Sequence, residues 1–476
     1  MNDSADGLHK NLDSRLLGMI TLGGSIGTGI FLASGSVLFR AGPGGTLIAY
    51  IFMGILIYYL MSSLGEMAAY MPSSGSFYHY AAQFIDPSLG YALGWNYWYS
   101  WAITIAAEIS ASSLLMQFWF PHSPGWIWSG VFLLFIVGFN AISTKIFGEI
   151  EYWFSLIKIA VIGLFITIGF AMICGLTSHH SVGFSNWHIG DAPFHNGWFG
   201  IFSAIILAGF SFQGTELLGI AAGESKNPQI TIPKVVKMVF WRIFLFFILS
   251  LLIISFLIPY PSAQSVDQDV MMSPFTRAFA LFDHKIAALI MNGVILIAIL
   301  STANSGMYVA SRMLWFLAKE KHIPPLFSKV TPKGIPIYAL IATASISFLA
   351  FLSSLFGHNS IYLWLVNAGG LSGFIAWTGI AISHYRFRKA YLHQGKDLAL
   401  LPYVAKGYPY MPLGIFFICI IILISNNVVA FIHHDLNWQE LFISYIGLPL
   451  FLIVWFSNKW VNKTKLVHLN ECNFNN

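Results

Sequence analysis

Charge is what this chain has least of. Asp, Glu, Lys and Arg make up 9% of its 476 residues, against about 25% in an ordinary soluble domain. So few charges cannot cover a water-exposed surface of this size, which excludes a soluble enzyme or binding module. Cysteine is equally scarce. Cys174, Cys419 and Cys472 are the only three, and their spacing fits neither a disulfide framework nor a metal site. There is no HExxH motif and no membrane-facing acid–histidine cluster; His79, His179, His180 and His384 are scattered near expected element ends or loops. The chain therefore does not read as an enzyme. Its net charge is +5, but no basic patch is interleaved with exposed aromatics, which excludes nucleic acid as a partner. The N-terminal "MNDSADGLHKNLDSR" is polar and acidic, and no small-residue cleavage site follows the first apolar run. That run is expected to be retained as a helix.

Apolar residues are abundant: 57% of the chain is hydrophobic and 16% aromatic, with 42 glycines and 16 tryptophans, the composition of an integral membrane protein. About twelve apolar segments are each long enough to cross roughly 30 Å of hydrocarbon at 1.5 Å per residue. They lie near 17–38, 46–70, 91–119, 125–143, 152–175, 198–221, 238–260, 284–312, 337–356, 361–383, 411–431 and 440–458. With the N-terminus in the cytoplasm, 20 of the 24 basic residues fall on the cytoplasmic side. Arg40, Arg277 and Lys285 fall opposite, and Lys158 lies inside the fifth segment. This bias predicts an even number of spans with both termini inside. No linker divides the chain, so residues 1–476 are read as a single transmembrane domain in contact with membrane lipid.

Two of the segments are interrupted by glycine. "MITLGGSIGTGIFLASG", residues 19–35, and "GFSFQGTELLGIAAGES", residues 209–225, place glycines and polar residues in the middle of apolar runs. They stand five spans apart, which predicts two five-helix repeats, approximately 17–175 and 198–383, inserted in opposite senses, with accessory helices at approximately 411–458. At such breaks, free N–H groups bind a carboxylate and free carbonyls hold an ammonium. The plainer alternative is that the glycines only let helices pack closely. A nucleotide loop is rejected, since "GGSIGTG" has no preceding strand and no phosphate-loop lysine. Charges within the spans are few. Glu108, Glu216 and Lys158 are therefore candidates for substrate binding or proton coupling, since an intramembrane charge without a function is costly. A fixed polar network is the alternative for Glu108 and Glu216, and snorkelling to the cytoplasmic surface for Lys158. Glu66, near the end of the second segment, is expected to cap it or to pair at the interface.

The motifs "GGSIGTGIF", "AGPGG", "LGEMAAYMPSSGSF", "GWNYWY", "FGEIEYWFSLIK", "GFSFQGTELLGIAAGESKNP", "IPKVVKMVFWRI", "NSGMYVASRML" and "IAISHYRFRKAY" cover nearly the whole chain. In this order they resemble the amino acid–polyamine–organocation superfamily, in its bacterial amino acid transporter branch. The resemblance implies an all-α polytopic fold of twelve transmembrane helices, a 5+5 inverted repeat with discontinuous helices 1 and 6. It implies a substrate carboxylate near Ser25, Gly27, Thr28 and Gly29, and an α-amine near Phe210, Ser211 and Gln213. Phe210 takes the place of an aromatic gate, Lys158 that of a proton-coupling lysine, and Glu216 that of an acid shared across the branch. Glu108 is the candidate for meeting a substrate ε-ammonium. Lysine carriers of the branch often have Asp at this place, one methylene shorter, which leaves arginine, ornithine and histidine open beside lysine. The expected activity is proton-coupled import of a basic amino acid, lysine above all, across the bacterial cytoplasmic membrane. No cofactor is expected, the proton being the coupling ion. An amino acid or polyamine exchanger of the same fold is the alternative.

Overall fold

The computed structural model describes residues 8, 12–176, 183–264, 273–281, 286–352, 358–427 and 438–474. His179, His180, Lys10 and Lys285 lie outside the described residues. Regular structure among the described residues is helical, apart from one isolated bridge between Leu12 and Ser225.

Helix α1, Ser14–Ser25, starts where the Asp13 carboxylate accepts the Leu16 N–H at 2.9 Å, an N-cap that satisfies an otherwise unpaired donor. It stops at Ile26, whose φ of −112° and ψ of 88° leave the helical region. The chain turns helical again through a wide π turn at Gly29–Ala33 and enters α2, Ser34–Tyr70. Gly42, at φ 70° and ψ 178°, and Pro43 after it break α2 into two helices meeting at a kink. The short α3, Ser76–Phe84, is followed by α4, Pro87–Met116, with Pro87 in its first turn and Asp86 as its cap. Next come α5, Gly125–Ile142, and α6, Thr144–Ile173, the latter capped by the Ser143 hydroxyl. Helix α7, Gly197–Phe212, ends at Gln213 in extended backbone; after Gly214 at φ 92° the chain resumes as α8, Leu217–Ala221.

Helix α9, Pro228–Arg242, continues through a wide turn into α10, Ser250–Leu257. Then follow α11, Pro274–Ala280, α12, Ile286–Lys319, α13, Ile337–Ile346, and α14, His358–His393. The last are α15, Tyr410–Ser425, α16, Trp438–Tyr445, and α17, Gly447–Asn462.

Each expected apolar segment contains helix among its described residues, though bends or turns interrupt or end some of them, and several helices start earlier or run on further. The fifth segment was expected from 152 and its helix begins at Thr144; the seventh, expected from 238, begins at Pro228. Hydropathy reports only the stretch matched to hydrocarbon, whereas caps and backbone hydrogen bonds carry a helix beyond it. Helix α2 packs along α7, and α4 against both α12 and α14, while α1 lies among α6, α8, α9 and α12. Both interrupted stretches are thus held at the centre of the bundle. Large apolar side chains including Trp153, Leu164, Phe170 and Trp241 are left exposed on its outside, where water would make them a liability and lipid does not. Among the described residues, eight helical stretches are long and apolar enough to cross a membrane. The protein is an all-α, polytopic membrane protein.

Candidate transport site

The two breaks lie directly against each other. A Cβ on Gly29 would come within 2.7 Å of the Ser211 Cα, and one on Gly214 would collide with the Gly24 carbonyl. Close approach of two backbones is thus the physical reason for glycine at these positions. Ser211 binds across the gap: its hydroxyl donates to the Gly29 carbonyl at 2.8 Å and lies 2.8 Å from the Tyr50 hydroxyl.

Between the breaks is a cavity of about 30 Å³, room for a water or two. Ser25, Gly27, Gly29, Glu108, Phe210, Ser211, Gln213 and Glu216 all line it, joined by Ser100, Trp101, Thr104 and Thr302. Thr28 stands just behind, its hydroxyl donating to Glu108 Oε1 at 2.9 Å and its backbone N–H reaching the same carboxylate. The other oxygen, Glu108 Oε2, is buried with no hydrogen-bond partner among the described residues. An acceptor-only group left in this way is complementary to an ammonium.

Glu216 is differently placed. Its Oε1 accepts from the Gly214 N–H and the Tyr97 hydroxyl, each at 3.2 Å, and its Oε2 from the Trp377 indole at 3.2 Å. Three donors fix the carboxylate as a brace of the second break. Gln213 lines the cavity while donating to the Gly370 carbonyl on α14 at 2.7 Å.

Lys158 is fully buried, not snorkelling, and is outside the cavity lining. Its Nζ donates to the Gly23 and Ile26 carbonyls at 2.7 and 3.0 Å. A cation there satisfies carbonyls at the C-terminal end of α1, where the helix dipole is negative. Glu151, two turns earlier on the same helix, was not among the sequence candidates. It is fully buried, and accepts from the Ser301 hydroxyl and from Asn304 Nδ2, the latter at 3.0 Å. The signal was present: Glu151, Ser155 and Lys158 follow i, i+4, i+7 on one helix face. Extending the helix back to Thr144 places Glu151 within it. Tyr97, Trp377, Trp101 and Thr302 were also missed, since nothing local separates one buried aromatic or hydroxyl from another.

Two expectations away from the cavity take definite form. Glu66 is buried, and pairs with both Arg388 Nε at 2.6 Å and Arg388 Nη2, while accepting the Ala405 N–H at 2.6 Å. His384 is buried beside it, Nε2 3.3 Å from Glu66 Oε1, and so belongs to the interior of α14. Arg242, grouped in the sequence with the cytoplasmic bases, is buried within the helical run from Pro228 to Leu257.

Comparison with known proteins gives the family of the chain. The chain is 50% identical over 474 residues to the lysine-specific permease LysP of Escherichia coli K12, covering 99% of this chain and 97% of that one. It is 46% identical over 469 residues to the lysine-specific permease LysP of Lactococcus lactis, covering 97% and 92%. It is 45% identical over 466 residues to the histidine permease HisP of the same organism, covering 97% of each. Residues 17–471 match the family described as amino acid permease. With a family match over residues 17–471 and relatives about half identical over nearly its whole length, this chain belongs to the amino acid permease family, a family of transporters and not of enzymes.

Proposed function

We propose that the protein imports a basic amino acid, L-lysine, together with a proton, by alternating access across the bacterial cytoplasmic membrane. The observation that carries this reading is Glu108, whose Oε2 is buried and unpartnered beside the cavity between the breaks. A substrate ε-ammonium supplies the missing donors. The names of the relatives support the same substrate class, since two are lysine-specific permeases and one a histidine permease.

Twelve crossings are supported by the helices themselves. The eight apolar stretches include residues 14–70, whose kink at Gly42 divides one stretch into two crossings. The shorter apolar helices at 337–352 and 410–425, and the 30-residue α4, supply three more. Both termini are then on the cytoplasmic side, with inverted repeats at approximately 17–175 and 198–383.

In this reading, the substrate carboxylate meets the backbone around Ser25, Gly27 and Gly29, and the α-amine meets carbonyls around Phe210 and Ser211. Phe210 covers the substrate. Thr28 holds Glu108 in place, and Glu216 keeps the second break in shape. Lys158 is the coupling group: while protonated it holds the Gly23 and Ile26 carbonyls, and on losing its proton it releases the end of α1. Rocking of the repeats then exposes the site to one side at a time. Each positive charge carried inward gains about 2.3 kcal/mol per 100 mV of inside-negative potential, so a cationic substrate with a proton draws on the potential twice.

The test is uptake into liposomes of the purified protein under an inside-negative potential. Labelled lysine is compared with arginine, histidine and a neutral amino acid, for the wild type and for Lys158→Met. Lysine should accumulate above equilibrium in the wild type, whereas the variant should retain exchange of internal for external lysine but lose accumulation. Preferred accumulation of a neutral amino acid, or wild-type transport only against internal substrate, would overturn the reading and favour an exchanger.

A further inference from the structure

Arg242 is used by nothing described so far. It is 6% exposed and makes one hydrogen bond, from Nη1 to the Thr21 carbonyl of α1 at 3.0 Å. Its Nε and Nη2 are buried and have no hydrogen-bond partner among the described residues. A guanidinium carries its donors in a fixed planar fork matched to two oxygens of one anion. Leaving half of that fork unsatisfied in a membrane interior is costly.

Arg242 is among the residues that line a second cavity, of about 250 Å³, between α1, α6 and α9. Apart from Thr21 and the guanidinium, its walls are apolar: Leu22, Ile159, Val239 and Phe246 are among them. Met238, Trp241 and Leu245, also in the lining, are 59%, 60% and 38% exposed. They give the cavity an apolar rim on the lipid-facing side of the bundle. Lys234 and Lys237, both exposed, stand eight and five residues before Arg242 on the same helix. At 1.5 Å per residue these are about 12 and 7.5 Å away along the axis, toward the end of α9 that carries the cytoplasmic loop charges.

We propose that this cavity is a binding site for one anionic phospholipid of the inner leaflet. Its phosphate takes Arg242 Nε and Nη2, its acyl chains lie along Trp241, Leu245 and Phe246, and Lys234 and Lys237 attract the headgroup region. The charge is complementary, and basic pockets between membrane helices on the cytoplasmic side are suited to such headgroups. The apolar rim selects a lipid over a free phosphate, which has no reason to leave water for this mouth. Because the same guanidinium holds the Thr21 carbonyl, the lipid secures Arg242 where it braces α1.

The test is native mass spectrometry of the full-length protein in neutral detergent. It is titrated separately with phosphatidylglycerol, phosphatidylcholine of the same chains, oleate, and inorganic phosphate. The expected result is one phosphatidylglycerol retained at least tenfold more strongly than phosphatidylcholine, with retention lost in Arg242→Gln. It should also be lost in Gly18→Leu, which fills the cavity from α1, where Val235 is the nearest neighbour at 4.0 Å, and leaves the guanidinium intact. Lys319→Gln/Lys321→Gln, which removes charge elsewhere on the surface, should retain the lipid. Equal loss in that control would reduce the effect to net charge and overturn the site. Displacement of the bound lipid by inorganic phosphate would overturn the lipid assignment, as would oleate binding in place of phosphatidylglycerol. Unchanged retention in Gly18→Leu, a variant that does not depend on the folding of Arg242→Gln, would also overturn it.

Discussion

The two oxygens of Glu108 divide its work. Oε1 is fixed by the Thr28 hydroxyl while Oε2 keeps its capacity to accept, so in the proposed role the carboxylate is held in position before substrate arrives. Replacing it with Gln keeps the size and the Thr28 contact but removes the charge. Losing one member of a buried charge pair costs roughly 2–5 kcal/mol. Glu108→Gln should therefore raise the KM for lysine by about 30-fold or more and leave binding of a neutral amino acid little changed; competition binding in detergent measures both. An equal loss for the two substrates would reduce Glu108 to a structural role. Outside the membrane, Asp191 offers a pH-dependent contact. The Tyr260 hydroxyl at 2.6 Å, and next His195 Nδ1 at 2.6 Å, hold its carboxyl down at about 2. A carboxylate with a lowered folded-state pKa stabilises above its unfolded value and loses that contribution as pH falls through the folded one. The difference in thermal midpoint between wild type and Asp191→Asn should be flat from pH 8 to 5, narrow below about 4 and vanish near 2. A difference already gone at pH 5 would show that the carboxylate is not what secures this loop.

At the scale of elements, the interrupted helices carry the argument, and here the sequence was informative up to a limit. Glycine in the middle of an apolar run marked both stretches, because only a close backbone approach makes such weak helix formers worth keeping there. Which glycine meets what was not legible, since the backbones that approach each other at Gly29 and Ser211 are nearly 200 positions apart. Glu151 escaped for a related reason: hydropathy began the segment one residue after it, and only the cap at Ser143 shows that the helix started earlier. Likewise Glu66, Arg388 and His384 looked like interface charges, but the pairing that lets them be buried is tertiary. Gly29→Ala tests the break itself. Its methyl would meet backbone, not a yielding side chain, at 2.7 Å, and overpacking of this kind costs roughly 1–3 kcal/mol. Lysine uptake per folded molecule should fall by at least about tenfold. Gly163→Ala, on α6 with nothing within 4 Å of the added carbon, should transport normally and gain up to about 1 kcal/mol from helix propensity. If both behave alike, close packing at Gly29 is not what the site requires.

For the whole molecule, the first and last described segments are tied to the side that the charge bias assigns to the cytoplasm. Leu12 exchanges backbone hydrogen bonds with Glu224 and Lys226, beside the buried pair of Glu224 with Arg312 Nε at 2.8 Å. The N-terminal segment thereby closes over the exit from α8. The C-terminal segment works on the other flank. Lys459 in the last turn of α17 and Thr464 after it bind Asp86 at 2.6 Å each, the Val467 N–H donates to the Ile85 carbonyl at 2.8 Å, and Arg386 reaches both Phe84 and Val467 carbonyls. Phe474 ends the strap among the rings of Tyr70, Phe84, Phe387 and Tyr391, with centroids 5.3–6.3 Å away. The strap thus joins α3 to the end of α14, two elements separated by nearly 300 residues, and relative motion between them must stretch it. Phe474 is 7% exposed, and truncating a buried Phe to Ala costs about 3–5 kcal/mol where neighbours cannot collapse. Phe474→Ala should lower the thermal midpoint in detergent and speed hydrogen exchange in residues 76–86 and 464–474 together, with the substrate KM unchanged. Faster exchange confined to residues 464–474 would mean that the tail rests on the transporter without bracing it.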